Sequence, residues 1–263
     1  MKRIPLLMTA SVSTRGMKGA CFTDAEREAM YVGALNFYIT NILSKQPEQR
    51  IVFAENSGWN VESIKRQLEP HDISKIEFIS LPPEDFDISR GKGYNEMLMI
   101  NKVTEQSTFI NNAHAFFKVT GRYPVYNMDY FLRKASCAIY EHGYDIYCDI
   151  KDHKLYDRLH LGWNGHSFEC RLFAVTTSWY SAEMADICKD YDYNNFLETI
   201  LFRRMKTAQG KKSIRFKREP HFGGLEGSNV NAVIFSKNQD SAKGKFKRLV
   251  GNMIRIFTPW FKF

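Results

Sequence analysis

The chain has 263 residues and a mass of 30.6 kDa, enough for one or two domains with a sizeable core, and its 44% hydrophobic and 25% charged content is ordinary for a globular protein. No apolar run of about 18 residues is present, so no membrane span is expected, and five scattered cysteines without a CxxC pair argue against a disulfide framework or a zinc site. The net charge of +8 favours anionic partners, but seven Lys and Arg residues stand against Asp240 alone from Ser236 onward, which makes the body nearly neutral and the tail basic.

The first eight residues are too short and too quickly polar for a signal peptide, and a cytoplasmic, reducing compartment fits the free cysteines. Residues 4–9 read as a first strand, followed by a Ser/Thr/Gly/Arg loop that includes Ser11 and Lys18. Thr23-Asp24-Ala25-Glu26 has the hydroxyl cap and early acids of a helix start, and the helix runs towards Leu43. Residues 51–54 form a second strand, ended by Glu55-Asn56-Ser57-Gly58. Residues 61–68 are a second helix and 76–81 a third strand. A third helix is expected from about Asn95 to Glu105, preceded by the turn Gly91-Lys92-Gly93-Tyr94.

The next segment, Ala115-Phe116-Phe117-Lys118-Val119-Thr120-Gly121-Arg122-Tyr123, starts as an apolar, β-branched and aromatic strand. Burying Lys118 and Arg122 in such a strand is costly unless each is paired. One outcome is pairing with buried carboxylates. The other is an anion site, because α/β sheets bind ligands beyond the carboxyl ends of their strands. Four strands alternating with three helices predict a doubly wound, mainly parallel sheet. The polar segments 11–18, 55–58, 91–96 and 120–127 then converge at one edge.

Further on, residues 145–150 and 169–177 read as strands, and 182–205 as one long helix or two. Residues 206–218 are strongly basic, and 220–228 form a Gly-rich loop carrying His221 and Ser228, candidates for an acceptor or loop role. Glu169-Cys170-Arg171 places a carboxylate and a guanidinium on one strand face. Glu169 is a candidate general base if its surroundings raise its pKa, and a local ion pair is the competing outcome. Glu198 is the other candidate base. Glu55 and Asn56 suit a ribose or base, or an ordinary turn. Gly91-Lys92-Gly93 before a helix resembles an anion-binding turn but matches neither a Walker A nor a GxGxxG pattern.

Asp85-Phe86-Asp87 and Asp190-Tyr191-Asp192 satisfy DxD away from the central strand, and no HxH or HExxH pair occurs among the seven histidines. No structural metal is expected, and these positions count against a catalytic divalent cation. In the tail, Phe246, Leu249, Val250, Met253, Ile254 and Phe257 recur at helical spacing among Lys and Arg, with Trp260-Phe261-Lys262-Phe263 closing the chain. This is the pattern of a helix in an anionic membrane interface, or of one docked on the body or on a second subunit.

Glu55-Asn56-Ser57-Gly58, Gly91-Lys92-Gly93-Tyr94 with Glu96, Lys118-Val119-Thr120-Gly121-Arg122-Tyr123 with Asn127, and Glu169-Cys170-Arg171-Leu172-Phe173 together resemble a family of bacterial glycosyltransferases of surface-polysaccharide and lipopolysaccharide clusters. The likeness spans most of residues 4–230 and is strongest at the Lys-x-Thr-Gly-Arg-Tyr run. It implies a GT-A-like α/β fold over residues 1–235 and sugar transfer from a nucleotide-sugar to a glycan or lipid-linked acceptor; residues 236–263 lie outside the likeness and, from their own amphipathic pattern, are expected to be a basic, membrane-associating tail. On the matching positions it implies that Lys118 and Arg122, with Lys92, Glu55, Asn56, Thr120 and Asn127, bind the donor. Glu169 is then the preferred base, Glu198 the alternate, and Arg171 an orienting partner. Glu169 departs from the family's usual Asp. A peripheral protein on the inner face of the cell membrane is expected, with no nucleic-acid partner; an oligomer is compatible with the sequence.

The competing classes are a nucleotidyl- or phosphotransferase on the same sheet, which needs a clearer metal-binding carboxylate pair, and a nucleic-acid-binding protein using the basic tail. No recognised nucleic-acid-binding motif supports the second.

Overall fold

The computed structural model describes residues 2–16, 20–68, 73–152, 165–190, 196–225 and 240–257. Its strands are β1 Leu6–Ala10, β2 Ile51–Glu55, β3 Ile76–Ser80, β4 Ala115–Thr120, β5 Ile146–Tyr147, β6 Ile150–Asp152, β7 His166–Phe168, β8 Leu172–Thr176 and β9 Lys212–Ser213. Seven of them form one sheet in the order β3-β2-β1-β4-β8-β5-β9, while β6 and β7 pair as a separate ribbon. The contacts β3-β2-β1-β4 are all parallel, and β8 enters antiparallel beside β4. The central sheet is therefore α/β and mainly parallel, as expected.

The helices are α1 Asp24–Tyr38, α2 Val61–Arg66, α3 Gly91–Gln106, α4 Thr108–Ala113, α5 Met128–Ser136, α6 Thr177–Glu183, α7 Ile187–Asp190, α8 Leu197–Thr207 and α9 Ala242–Phe257. They cover both faces of the sheet, which is why the inner strands read as continuous apolar runs. Alternate strand residues divide accordingly. Leu6, Met8, Phe53 and Phe117 pack with Tyr31, Leu35 and Tyr38 of α1 and Phe131 of α5. Leu7, Val52 and Phe116 pack with Met97, Ile100 and Val103 of α3 and Tyr180 of α6. Thr23 caps α1 in a reciprocal capping box with Glu26, and a π-helical turn over Ile39–Leu43 carries the helix to its expected end.

Three local expectations change. Gly91-Lys92-Gly93 is no loop but the first turn of α3. Glu169-Cys170-Arg171 lies in the turn between β7 and β8, so alternation along a strand does not place its side chains. The 182–205 segment is broken into separate helices, with α6 starting at Thr177 and α8 at Leu197.

Helix α9 docks by its small and polar side. Gly251 and Arg255 are buried, Arg255 donates to Asp149 and to the Phe216 carbonyl, and Asn252 accepts from the Glu219 amide. A Cβ at Gly251 would stand 2.6 Å from the Glu219 carboxylate, so glycine sets how closely the helix seats.

Candidate active site

The register brings the predicted segments together. Ala10 is opposite Glu55 and Thr9 opposite Thr120, so β1, β2 and β4 deliver their carboxyl ends to one edge. Val119 faces Leu172 across the antiparallel pair, which brings the Glu169-Arg171 turn to the same place. Gly121 makes the closest backbone approach there. Its amide donates to the Thr9 carbonyl at 2.9 Å, and a Cβ would sit 2.7 Å from that oxygen.

Of the two outcomes for Lys118, the structure shows pairing with a carboxylate. Lys118 is 1% exposed, and its ammonium meets Glu96 Oε1 at 2.7 Å, Thr120 Oγ1 at 3.1 Å and the Cys170 carbonyl at 2.6 Å. An ammonium has three donors, and all three are committed. Thr120 is thereby an acceptor for Lys118, and Glu96, half-buried and also accepting from Thr9, is the carboxylate that pairs the lysine. The cluster ties β1, α3, β4 and the turn before β8 into a floor.

Glu55 takes the turn-forming alternative. It is fully buried, and its carboxylate accepts from the amides of Val12, Ser57 and Trp59 and from the Ser57 hydroxyl. It organises the turn after β2 and clamps the loop after β1; no ribose is needed to satisfy it. Asn56 accepts from the Ser11 hydroxyl at 2.5 Å in the same clamp. Asn127 bridges two loops, donating to the Glu219 carbonyl and accepting from the His221 amide, so it shapes the site wall.

Arg122 follows Gly121 directly at this edge. No carboxylate lies within 4 Å of it among the described residues; one guanidinium nitrogen bonds the Tyr123 hydroxyl at 2.7 Å, and its buried Nε has no hydrogen-bond acceptor. Lys92, in the first turn of α3, is exposed and close enough for charge coupling. Partial desolvation, then the charges of Arg122 and Arg27, hold its pKa below the usual lysine value.

Arg27 completes the cluster, and the sequence reading missed it. It is buried in α1, with its guanidinium bound to the Ser11 and Val12 carbonyls and no carboxylate within 4 Å among the described residues. Tyr31, one turn on, receives the Ser11 amide at 3.0 Å. The available signal was the spacing of Arg27, Tyr31, Leu35 and Tyr38, which places the arginine on the buried stripe of the helix. Three cations thus surround one edge of the sheet beside the amino end of α3, an arrangement suited to a diphosphate.

Glu169 and Arg171 form the competing outcome, a local ion pair. Both carboxylate oxygens are engaged, at 2.7 Å by Nε and 2.6 Å by a terminal nitrogen of Arg171. Burial alone would raise the Glu169 pKa, but the charge and hydrogen bonds of Arg171 overcome it and hold the carboxyl below 4.5. The raised pKa expected of a base is therefore absent. Arg171 also lies 4.3 Å over the Phe222 ring, and Phe222 meets Tyr123 edge-on at 5.9 Å, a line of planar groups along the site. Glu198 is exposed in the first turn of α8 with no hydrogen bond or ion pair among the described residues. Its helix, α8, packs against β7, the strand that leads into the same turn.

His221 contacts Asp240 at 3.1 Å and the Tyr126 ring at 4.9 Å; burial, then Arg248, lowers its pKa, so it is on the wall shared with α9. Lys18, Ser228, Asp192 and residues 258–263 lie outside the described residues. The DxD at 85–87 does not fit a metal. Asp85 pairs with Lys102, and Asp87 caps the turn at Ser89. No group of three His, Cys, Asp or Glu suited to a metal occurs among the described residues.

No protein-family model and no curated protein matches the sequence. Among solved structures, the chain is similar to one assigned as a nucleotide-diphospho-sugar transferase from Desulfovibrio desulfuricans, with 11% identity, 80% of this chain and 78% of the other covered, and a TM-score of 0.49. It is similar also to the mannosyltransferase Ktr4p from S. cerevisiae, at 10% identity, 88% and 76% coverage and a TM-score of 0.48. A third is the galactosyltransferase LgtC, solved with donor and acceptor sugar analogues, at 10% identity, 76% and 69% coverage and 0.44. Identities and TM-scores this low leave the activity to be argued from the site itself.

Proposed function

We propose that the chain is a GT-A-like glycosyltransferase of the bacterial surface-glycan type. It moves a sugar from a nucleotide-sugar to a hydroxyl of a surface-polysaccharide, lipopolysaccharide or lipid-linked acceptor, working peripherally at the cytoplasmic face of the membrane. The observation that carries this reading is the convergence of Arg122, Lys92 and Arg27 at the carboxyl edge of β1 and β4, where Arg122 and Arg27 have no carboxylate within 4 Å among the described residues. Buried guanidinium charges with no directly paired carboxylate are matched there by a polyanionic ligand.

In this reading Arg122 and Lys92 hold the donor diphosphate, and Arg27 positions the loop after β1 while adding its charge. An acceptor oxygen attacks the anomeric carbon, the bond from that carbon to the phosphate oxygen breaks, and the nucleoside diphosphate departs with the electron pair. The cation cluster is already in place to stabilise its growing charge. Glu198, whose carboxylate has no hydrogen bond or ion pair among the described residues, takes the acceptor proton in a single-displacement route; Glu169 holds Arg171 against Phe222 as a platform for the sugars. The cations meet the diphosphate charge directly, so binding is expected to persist in EDTA.

The test is a calorimetric panel of nucleoside diphosphates, nucleoside triphosphates and nucleotide-sugars, with and without EDTA. Binding of a nucleoside diphosphate and its sugar conjugate, lost in Arg122→Ala with the fold intact, is the expected result. No binding by any nucleotide refutes the proposal, and binding of a triphosphate alone favours a nucleotidyltransferase.

A further inference from the structure

The tail helix poses a physical problem that docking alone does not solve. On α9 the buried residues Gly251 and Arg255 mark one side, while Phe246, Leu249, Val250, Met253, Ile256 and Phe257 are all exposed, from 37% at Val250 to 70% at Phe257. At 100° per residue these six fall within roughly one third of the helix circumference, opposite Arg255. The sequence pattern placed Ile254 in this stripe; the structure leaves Ile254 half-buried and puts Ile256 there instead. An amphipathic helix ordinarily turns its apolar stripe to the core. Here the polar side is locked inward, and six large apolar side chains face out.

We infer that α9 is a platform for an anionic lipid bilayer, rigidly fixed to the site wall rather than trailing as a tether. Charge selects this occupant. Lys243, Lys245 and Lys247 are exposed beside the stripe, and no acidic residue lies within Ala242–Phe257. Basic flanks around an apolar stripe match acidic headgroups over acyl chains.

The rigidity comes from a buried joint. Arg255 meets Asp149 at 2.9 Å through one terminal nitrogen and 3.0 Å through the other, both residues being under a tenth exposed. Asp149 also accepts from the Phe216 amide. The segment that receives the helix continues into the site: Glu219 is bonded by Asn252 and Asn127, His221 by Asn127, and Phe222 lies under Arg171. A bilayer on the outer side of α9 is therefore separated by that one helix from the wall that carries Tyr126, His221 and Phe222. Resting on the transferase reading, this geometry favours an acceptor presented from a lipid surface over a freely soluble glycan.

Cosedimentation of the full chain with phosphatidylglycerol-containing vesicles and with pure phosphatidylcholine vesicles tests the platform, with hydrogen exchange over 213–222 reporting the joint. The expected result is binding to the anionic vesicles only, weakened on the order of tenfold or more in Leu249→Glu/Met253→Glu. Exchange at 213–222 in that variant should match the wild type in solution. Gly251→Leu, which unseats the helix, should raise that exchange. Equal vesicle binding by the double variant, no binding by the wild type, or a dimer abolished by the same two substitutions would each overturn the inference; so would unchanged exchange in Gly251→Leu. Nucleotide calorimetry on the double variant separates this outcome from failure of the transferase reading, because the substituted residues are exposed and outside the cation cluster.

Discussion

Lys118 and Arg122 both looked like anion ligands, yet their surroundings differ in the quantity that decides the matter, the number of uncommitted donors. Lys118 has none: removing it strands Glu96 beside an apolar floor. Lys118→Met should lower unfolding stability by about 3 kcal/mol, the cost of breaking a largely buried pair, as read by urea denaturation. Arg122→Ala breaks no ion pair, so its urea midpoint should stay near the wild type. Its affinity for a nucleoside diphosphate should fall about 10- to 100-fold, the worth of a charged hydrogen-bonding contact. Glu169 offers a pH test. Its folded pKa is depressed, so its contribution is present above the ordinary value of 4.5 and is lost as pH falls through the lower folded value. Denaturation series from neutral to acidic pH should show wild-type stability dropping in that window, and a shallower drop in Glu169→Gln.

At the scale of elements, the positions of the first four strands and the capping box of α1 were readable because each rests on local pattern: apolar runs, a Thr-x-x-Glu start, glycine and proline breaks. The partners of their charges were not. Glu96 meets Lys118 only because α3 begins at Gly91 and packs across β1, a tertiary fact. Arg27 sits among Asp24, Glu26 and Glu28, where charge suggests a solvated face, and only the helix phase reveals burial. The Glu169 turn reads as strand in the sequence because its neighbours are β-formers, while a bidentate pair two residues apart is better made in a turn. Gly121 shows how tightly the elements are fitted. Gly121→Ala would force a Cβ against the Thr9 carbonyl and push the Arg122 loop from β1. An expected cost of about 1–3 kcal/mol, accompanied by weaker nucleotide binding, should appear in paired denaturation and calorimetry experiments.

For the molecule as a whole, the question is whether α9 belongs to the body or merely follows it. The joint answers through Asp149, whose burial raises its pKa even against the opposing charge of Arg255. Arg255→Leu leaves that carboxylate buried without its main partner, and stability at neutral pH should fall by about 3–5 kcal/mol if the helix stays seated. A helix that lifts away instead lets water reach Asp149 and reduces the loss, at the expense of exposing Phe216 and Glu219. The pH dependence distinguishes the two. A carboxyl with a raised folded pKa stabilises the fold below its unfolded pKa and loses that contribution as pH rises through the folded value. In a seated Arg255→Leu variant, the gap from wild type should therefore narrow as pH drops from 7 towards 5, because protonation removes the stranded charge. Asp149→Leu/Arg255→Met should recover much of the loss at neutral pH, since an apolar pair needs no desolvated charges. Guanidinium denaturation of the three proteins at both pH values provides the check. A constant gap together with no recovery would show that the helix had left its seat, and that Arg255 holds α9 to the site wall by the ion pair rather than by the surrounding packing.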